Sequence, residues 1–588
     1  MAIPITITAE DRIADIESHL KLSAGPGAGK TRWLTNHIRH VIKNSVRLGN
    51  ARKIACITFT NIAADTILGR LGPQVERTEV STIHSFLYRN LIKPFAFLIP
   101  KEHELRIDLI DGHDDIVVGK GMIYEWKKET GQLYITDDQK IVEALSDLAW
   151  QFDENGDLNV KTRKFFKAIV GKYSIKKDSY LQYKKMYWRK GLLAHDDVLY
   201  FSHFLIVNNP RLLDVIRAKF PYLFIDEFQD TNPIQTFLLK KIAEKESTVG
   251  VIGDIAQSIY GFQGAKPEQF VGFSLPGLKE YTILDNHRST NKIISVLNAI
   301  RSDLRQNGIR DIEGTTPKML VGTKFWAVDE VLKTTKTTAW TLSRDNITSN
   351  MMRNRVLDST SKSNMIEELR EKDNDTARAN VVIACIRAVE LAKQTRYKEA
   401  LKEISRQLKH SDSEIDIPKS ALKILRVLLS NHSEFSTKTL LEFHSFVSKV
   451  FPIKLAGFRK GAAMTFYSSN TYDKVSLSVN LKEDDSPHRT IHKAKGAEFD
   501  HVLLVLDRKD EQGNFLESDE LGFLLTPMLD TDEEHRVRYV GLSRAKETLA
   551  INVPSLTAGA EAKAKSMGFE ILRQIESEEN VNRPTTQI

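Results

Sequence analysis

Apolar positions follow two rhythms along this chain. Continuous apolar runs at 53–60, Tyr222–Ile225 and Thr248–Gly253 have the look of strands buried on both faces. Between them, apolar residues recur every three or four positions, as on one face of a helix. After the apolar lead-in of Leu20 and Leu22, for example, Trp33, Leu34, Ile38, Val41 and Ile42 fall on one such face. Strand and helix in alternation predict a parallel sheet flanked by helices. Runs at 281–284, 338–342, 501–506 and 548–553 predict a second sheet. Over 91–190 the pattern turns mostly helical, and again over 358–481, as at 377–393 and Tyr397–Leu408. The expected fold class is α/β: two parallel-sheet domains, each interrupted by a mainly helical insertion. The expected boundaries are 1–90 with 191–277 for the first sheet domain and 91–190 for its insertion. The second sheet domain takes 278–357 with 482–554, a reduced insertion 358–481, and a short Ala- and Glu-rich tail 555–588.

Composition adjusts this picture only slightly. A chain of 588 residues, 41% hydrophobic and 27% charged, suits several soluble globular domains. Cys56 and Cys385 are the only cysteines, too few for a disulfide framework, a zinc site or an iron–sulfur cluster. With no basic segment leading into an apolar core at the N-terminus and no apolar run of membrane-spanning length, a cytoplasmic protein without a membrane partner is expected. No nuclease motif or appended interaction domain is seen after Pro554.

Charge is more informative in its distribution than in its total of +7. Residues 161–190 hold eleven Lys or Arg and one acid, Asp178, a local excess of +10. The same stretch carries Phe165, Phe166, Tyr173, Tyr180, Tyr183, Tyr187 and Trp188. Lysines neutralise phosphates and aromatic rings stack on bases, so a polyanion partner is expected, with Lys176, Lys177, Lys184 and Lys185 as its contacts. Some of the aromatics must instead form the insertion's own core.

Two segments carry chemistry. Ala24-Gly25-Pro26-Gly27-Ala28-Gly29-Lys30-Thr31 is a phosphate-binding loop between a strand and a helix, with Ala24 in the place of the usual first glycine. Its backbone N–H groups cradle phosphates, Lys30 adds a point charge, and the Thr31 hydroxyl suits Mg²⁺. Asp226-Glu227-Phe228-Gln229-Asp230-Thr231-Asn232 follows the buried run Tyr222–Ile225. There Asp226 suits the metal and Glu227 the attacking water. Together they point to binding of a nucleoside triphosphate with Mg²⁺, and to its hydrolysis.

Further segments, in chain order, resemble the UvrD/Rep-like branch of superfamily 1 DNA helicases. They are Ile57-Thr-Phe-Thr-Asn61, Ser81-Thr-Ile-His-Ser-Phe86, Gly253-Asp-Ile-Ala-Gln-Ser-Ile-Tyr-Gly-Phe-Gln-Gly-Ala265, Asn286-His-Arg-Ser-Thr290, Thr490-Ile-His-Lys-Ala-Lys-Gly-Ala-Glu-Phe499 and Tyr539-Val-Gly-Leu-Ser-Arg-Ala545. The resemblance implies two RecA-like motor domains, ATP and Mg²⁺ as cofactors, and translocation 3′ to 5′ on single-stranded or tailed duplex DNA. It implies catalytic roles for Glu227, Gln257, Arg288 and Arg544, the two arginines reaching the γ-phosphate from the opposite lobe. Arg32, His287 and Glu498 would border the nucleotide, and Phe59, Asn61, Thr82, His84, Phe262 and His492 would line the DNA strand.

Departures from the family pattern bear on detail. No glutamine precedes Gln74, His287 stands where a tyrosine usually stacks on adenine, and Gln263 replaces an arginine. Phe262 replaces a tryptophan. Relaxed base selectivity and a weaker strand grip are therefore expected. The compact build also resembles helicase subunits of bacterial anti-phage systems such as Gabija, where the nuclease is a separate partner protein; DNA repair is the broader expectation. The alternative is a nucleotide-gated DNA-sensing or regulatory subunit with little unwinding.

Overall fold

The structure is a computed structural model of the chain, and it describes residues 3–114, 116, 120–163, 169–170, 173–335, 337–355, 364–373, 375–408, 416–479, 486–510 and 512–575. The chain folds as two compact units. The first is Met1–Ser289 with Asn298–Ile312 and Met528–Tyr539; the second is Thr290–Leu297 with Glu313–Pro527 and Val540–Ile588.

The first unit is built on a seven-stranded sheet: β1 (Ile5–Ile7), β2 (Leu20–Ala24), β3 (Ile54–Thr58), β4 (Thr78–Thr82), β5 (Tyr222–Ile225), β6 (Thr248–Gly253) and β7 (Lys279–Ile283). The order is β1-β7-β2-β6-β5-β3-β4, and every pairing is parallel. Alternation along each strand divides its side chains between two cores. Ile54 and Cys56 of β3 face the layer holding Trp33, Leu34 and Ile38, whereas Ala55 and Ile57 face a larger core. That larger core runs without a break into the first insertion, through Trp126, Trp150 and Trp188.

One expectation needs correction here. The run expected at 281–284 in the second sheet is β7, which pairs with β2 in the first sheet, Lys279 opposite Leu20. Its apolar pattern marked a strand but held nothing to say which sheet would take it. The first insertion, expected to be mostly helical, also contains an antiparallel hairpin, Leu148–Phe152 with Leu158–Thr162. Phe165 and Phe166 lie outside the described residues.

The second unit holds a six-stranded parallel sheet: β8 (Lys318–Val321), β9 (Trp340–Ser343), β10 (His488–Thr490), β11 (Phe499–Val505), β12 (Ala545–Val553) and β13 (Glu570–Arg573), in the order β10-β9-β11-β12-β8-β13. Leu320, Leu503, Val505 and Ala550 of this sheet pack against Ala327 and Val331 of helix Lys324–Thr335. The helices Thr376–Lys393, Tyr397–Leu408, Ile417–Ser430 and Leu440–Val450 form a separate apolar core with Tyr467 and Tyr472. Among the described residues no helix is long and apolar enough to cross a membrane. Cys56 and Cys385 are both buried free thiols.

Candidate functional site

The glycine-rich loop joins the end of β2 to the fifteen-residue helix Lys30–Asn44. Gly27 (φ 72°) and Gly29 (φ 83°) turn through the left-handed region, which side chains rarely adopt. A Cβ on Gly25 would come within 2.7 Å of the Gln306 side chain, and one on Gly27 within 2.7 Å of Arg288 Cβ. At both positions a side chain would collide with a neighbouring side chain, so the close packing requires glycine. The loop is held from behind by a segment far away in sequence. Asn286 Nδ2 donates to Pro26 O at 3.2 Å, Gln306 Nε2 donates to the same oxygen at 2.9 Å, and His287 N donates to Gly27 O at 2.9 Å. Lys30 Nζ donates to Ala24 O at 3.1 Å. A glycine loop at a helix start, with the half-buried Lys30 and Thr31 beside it, suits a polyphosphate.

Asp226 and Glu227 come off the end of β5. Asp226 is buried and its N–H donates to Ile57 O at 2.8 Å. Glu227 is non-glycine yet left-handed (φ 55°). Such a conformation costs on the order of 1–3 kcal/mol and persists only where its surroundings determine it. Here they do: Glu227 N donates to Asp226 Oδ1 at 3.0 Å, and Gln229 Nε2 donates to Glu227 Oε2. Buried Gln229 is held in turn, its Oε1 accepting Asp254 N at 2.9 Å. A Cβ on Gly253 would sit 2.6 Å from that oxygen, so the close approach requires glycine. Asp254 Oδ2 then accepts Gln257 Nε2 at 2.6 Å, and Oδ1 accepts Arg301 Nη2 at 2.9 Å. Burial alone would raise the Asp254 carboxyl; the charges of Arg301 and Lys30 outweigh it and hold the group below its ordinary value. The first unit thus brings the loop, both strand-end carboxylates, Gln257, His287 and Arg288 together.

The other expected nucleotide residues are placed as follows. Arg32 is exposed and pairs with Glu10 at 2.6 Å. Arg288 N donates to Asn286 Oδ1 at 2.9 Å, and Arg310 Nη1 donates to Arg288 O at 2.6 Å. Glu498, His492 and Arg544 belong to the second unit. Glu498 lies 3.8 Å from Lys546. Arg544 is buried, with Nε on Val540 O at 3.1 Å and Nη2 on Ser543 Oγ at 2.9 Å. Sequence reading assigned no role to Gln229, Asp254, Asn286, Arg301 or Gln306. Asp254 and Asn286 lay within quoted motifs, but Gln306 carries no local signal at all.

Of the expected DNA-facing residues, Phe59 and Phe262 both contact Tyr260, to which sequence reading gave no role. The Phe59 and Tyr260 rings stack at 4.8 Å, and Tyr260 and Phe262 are 6.0 Å apart. Phe262 is 46% exposed. Asn61 is exposed at the start of helix Asn61–Leu71. Thr82 Oγ1 accepts Ser85 N at 3.4 Å and caps helix Ile83–Leu87. His84 sits in a cluster with His113 and His195, 6.3 and 5.7 Å away between ring centres. Burial, with the two neighbouring imidazoles, pushes its pKa down to about 3.

The lysine set does not share one role. Lys176 and Lys177 are exposed, Lys176 donating to Thr130 O at 3.2 Å. Lys185 is bound to Glu104 at 3.0 Å and to Glu102 O at 2.7 Å. Lys184 is a correction: its side chain is 3% exposed and pairs with Asp196 at 2.8 Å and Asp197 at 3.0 Å. Asp197 also accepts Trp150 Nε1 and Trp188 Nε1, each at 3.0 Å. Lys184 neutralises the buried Asp197 and the half-buried Asp196 and has no proton left to offer a phosphate.

Comparison with known proteins finds two family matches. The UvrD/REP helicase N-terminal domain family matches residues 7–275, and the UvrD-like helicase C-terminal domain family matches residues 343–555. The ATP-dependent DNA helicase PcrA of Bacillus subtilis (strain 168) is 29% identical over 298 residues, covering 50% of this chain and 38% of that protein. The ATP-dependent DNA helicase Rep of Escherichia coli (strain K12) is 30% identical over 284 residues, 47% of this chain and 40% of that protein. The chain thus spans about two fifths of the length of the curated relatives it matches.

Proposed function

Since the chain belongs to the UvrD/Rep-like family of superfamily 1 helicases, we propose that it hydrolyses ATP and couples hydrolysis to 3′ to 5′ movement on single-stranded DNA. The observation that carries this reading is the hydrogen-bonded chain Glu227–Gln229–Asp254–Gln257 beside a glycine loop that fits a polyphosphate. On this reading Lys30 and the loop N–H groups hold the phosphates, and Thr31 and Asp226 would hold Mg²⁺. The bound ion would supply charge neutralisation at the phosphate oxygens. Glu227, its carboxylate fixed by Gln229, orients and deprotonates the attacking water. Gln257 senses the γ-phosphate, and Arg288 and Arg544 supply guanidinium charge to the transition state. The aromatic run Phe59–Tyr260–Phe262, exposed at Phe262, stacks on bases. Residues 91–190 and 358–481 are then the insertions of two RecA-like motor domains, working in the cytoplasm in DNA repair or anti-phage defence.

A second reading is a nucleotide-gated DNA-sensing subunit beside a separate nuclease. It is favoured by Gln263, an exposed neutral residue next to the stacking aromatic. The deciding experiment measures ATP hydrolysis with and without single-stranded DNA, then strand displacement on a tailed duplex. DNA-stimulated hydrolysis with displacement is expected. Glu227→Gln should bind nucleotide but lose at least about 100-fold in kcat, the scale of general-base catalysis. Stimulated hydrolysis without displacement would favour the second reading, and no hydrolysis by the parent would overturn the first.

A further inference from the structure

Arg301 lies outside every motif named above, yet it is among the most buried charges in the first unit. Its side chain is 1% exposed. Nη2 donates to Asp254 Oδ1 at 2.9 Å and to Asp303 Oδ2 at 2.8 Å, Nε donates to Asp303 Oδ1 at 2.8 Å, and the guanidinium lies 5.7 Å from the Tyr539 ring centre. Burying an ion pair this completely is weak evidence of net stabilisation, because desolvation offsets most of the attraction. What the pair does provide is orientation. Asp254 is gripped on both sides. Its own N–H donates to Gln229, Oδ1 accepts Ala256 N at 3.2 Å as well as Arg301 Nη2, and Oδ2 accepts Gln257 Nε2 along with Arg301 Nη1 at 3.3 Å.

A carboxylate can only accept, so it selects the NH₂ end of the Gln257 amide and turns the carbonyl Oε1 the other way. Were Asp254 protonated, its O–H would select Oε1, and the amide would flip. The charged or titratable groups acting on Asp254 are Arg301, Lys30, Tyr539 and, through Arg301, Asp303.

We infer that Arg301 is a positioning residue for Gln257: by holding Asp254 as a carboxylate it fixes which end of the Gln257 amide faces the nucleotide. The inference rests on the ATP-hydrolysing reading above. Three variants test it: Arg301→Met, Asp254→Asn, and the two combined. With Arg301→Met, Asp254 remains buried without its guanidinium and titrates at higher pH. kcat should then acquire an acid limb, falling about tenfold for each pH unit below the raised pKa. KM should be unchanged within about twofold, since the loop and Lys30 are untouched. The double variant removes the carboxyl and so should lack the limb, because the asparagine amide oxygen still accepts from Gln257 Nε2 and does not titrate. A merely structural role would depress kcat evenly across pH. If Arg301→Met fails to fold, Arg301→Lys takes its place: one ammonium cannot hold both Asp254 and Asp303, and a smaller limb is expected. An active parent whose Arg301 variants keep the parental pH profile overturns the inference, whereas an inactive parent overturns the underlying reading.

Discussion

His37 shows at the scale of one residue how burial becomes a response to pH. It is 1% exposed, stacked on Trp33 at 4.8 Å and edge-on to Phe224 at 5.1 Å, with neither ring nitrogen partnered among the described residues. Burial, with the charge of His40, pushes its pKa down to about 3. The folded ring therefore stays neutral while the unfolded ring takes a proton near pH 6.5. Stability is intact above pH 6.5 and is lost progressively as the pH falls from there toward about 3; at pH 5 the loss from His37 is about 2 kcal/mol. His37→Phe keeps the stack and removes the proton. Denaturant melts between pH 6.5 and 4.5 should show the variant losing less stability than the parent; an unchanged slope would mean His37 is protonated in the folded state. The residues that sequence reading proposed for the nucleotide site, Lys30, Asp226, Glu227 and Gln257, have requirements that are local, each set within a few residues of its own strand end. Gln306 and Arg301 escaped it because their partners lie 280 and 47 residues away. No periodicity or spacing encodes such a distance.

The helix Asp178–Trp188 shows what element-scale pattern can and cannot tell. Tyr180, Tyr183, Lys184 and Tyr187 share one buried face at helical spacing. A net excess of lysine ranks all lysines alike; the stripe sorts them, and it places Lys184 inside. Burial lowers its tendency to stay charged, but Asp196 and Asp197 more than reverse that and hold its pKa above the ordinary value. Lys184→Ala would strand the buried Asp197 beside the half-buried Asp196, a loss of about 3–5 kcal/mol, and should unfold the insertion. Lys176→Ala with Lys177→Ala removes only exposed charge. That double variant should keep the parental melting temperature and weaken oligonucleotide binding with little sequence dependence. Its log–log salt slope should fall by about one for each lost phosphate contact. An unaltered slope would place the DNA path elsewhere. Strand β7 carries a related lesson: its apolar pattern announced a strand, but sheet membership depends on register with β2, which the pattern does not contain.

At the scale of the whole molecule, the α/β class and the two parallel sheets were legible because each buried strand is a short apolar run. The way the first unit collects chain from three separate stretches was not, since it depends on tertiary contacts. The third stretch, Met528–Tyr539, has a specific task. Glu533 Oε1 accepts Gly261 N at 2.9 Å, and Arg536 Nε donates to Ser258 O at 2.7 Å. Together they clamp the segment that carries Gln257 at one end and the exposed Phe262 ring at the other. On the proposed function, nucleotide and DNA would act on opposite ends of this one segment, so each should change the affinity of the other, and by the same factor. With a non-hydrolysable ATP analogue and a fluorescent single-stranded oligonucleotide, both affinities can be measured with and without the second ligand. A shared factor in the range of about 5–150 is expected. Glu533→Ala frees one end of the clamp and should move the factor toward one, while each ligand alone still binds within about threefold, since its contacts remain. A parent in which the two ligands bind independently, or a Glu533 variant with undiminished coupling, would show that the segment does not carry the signal.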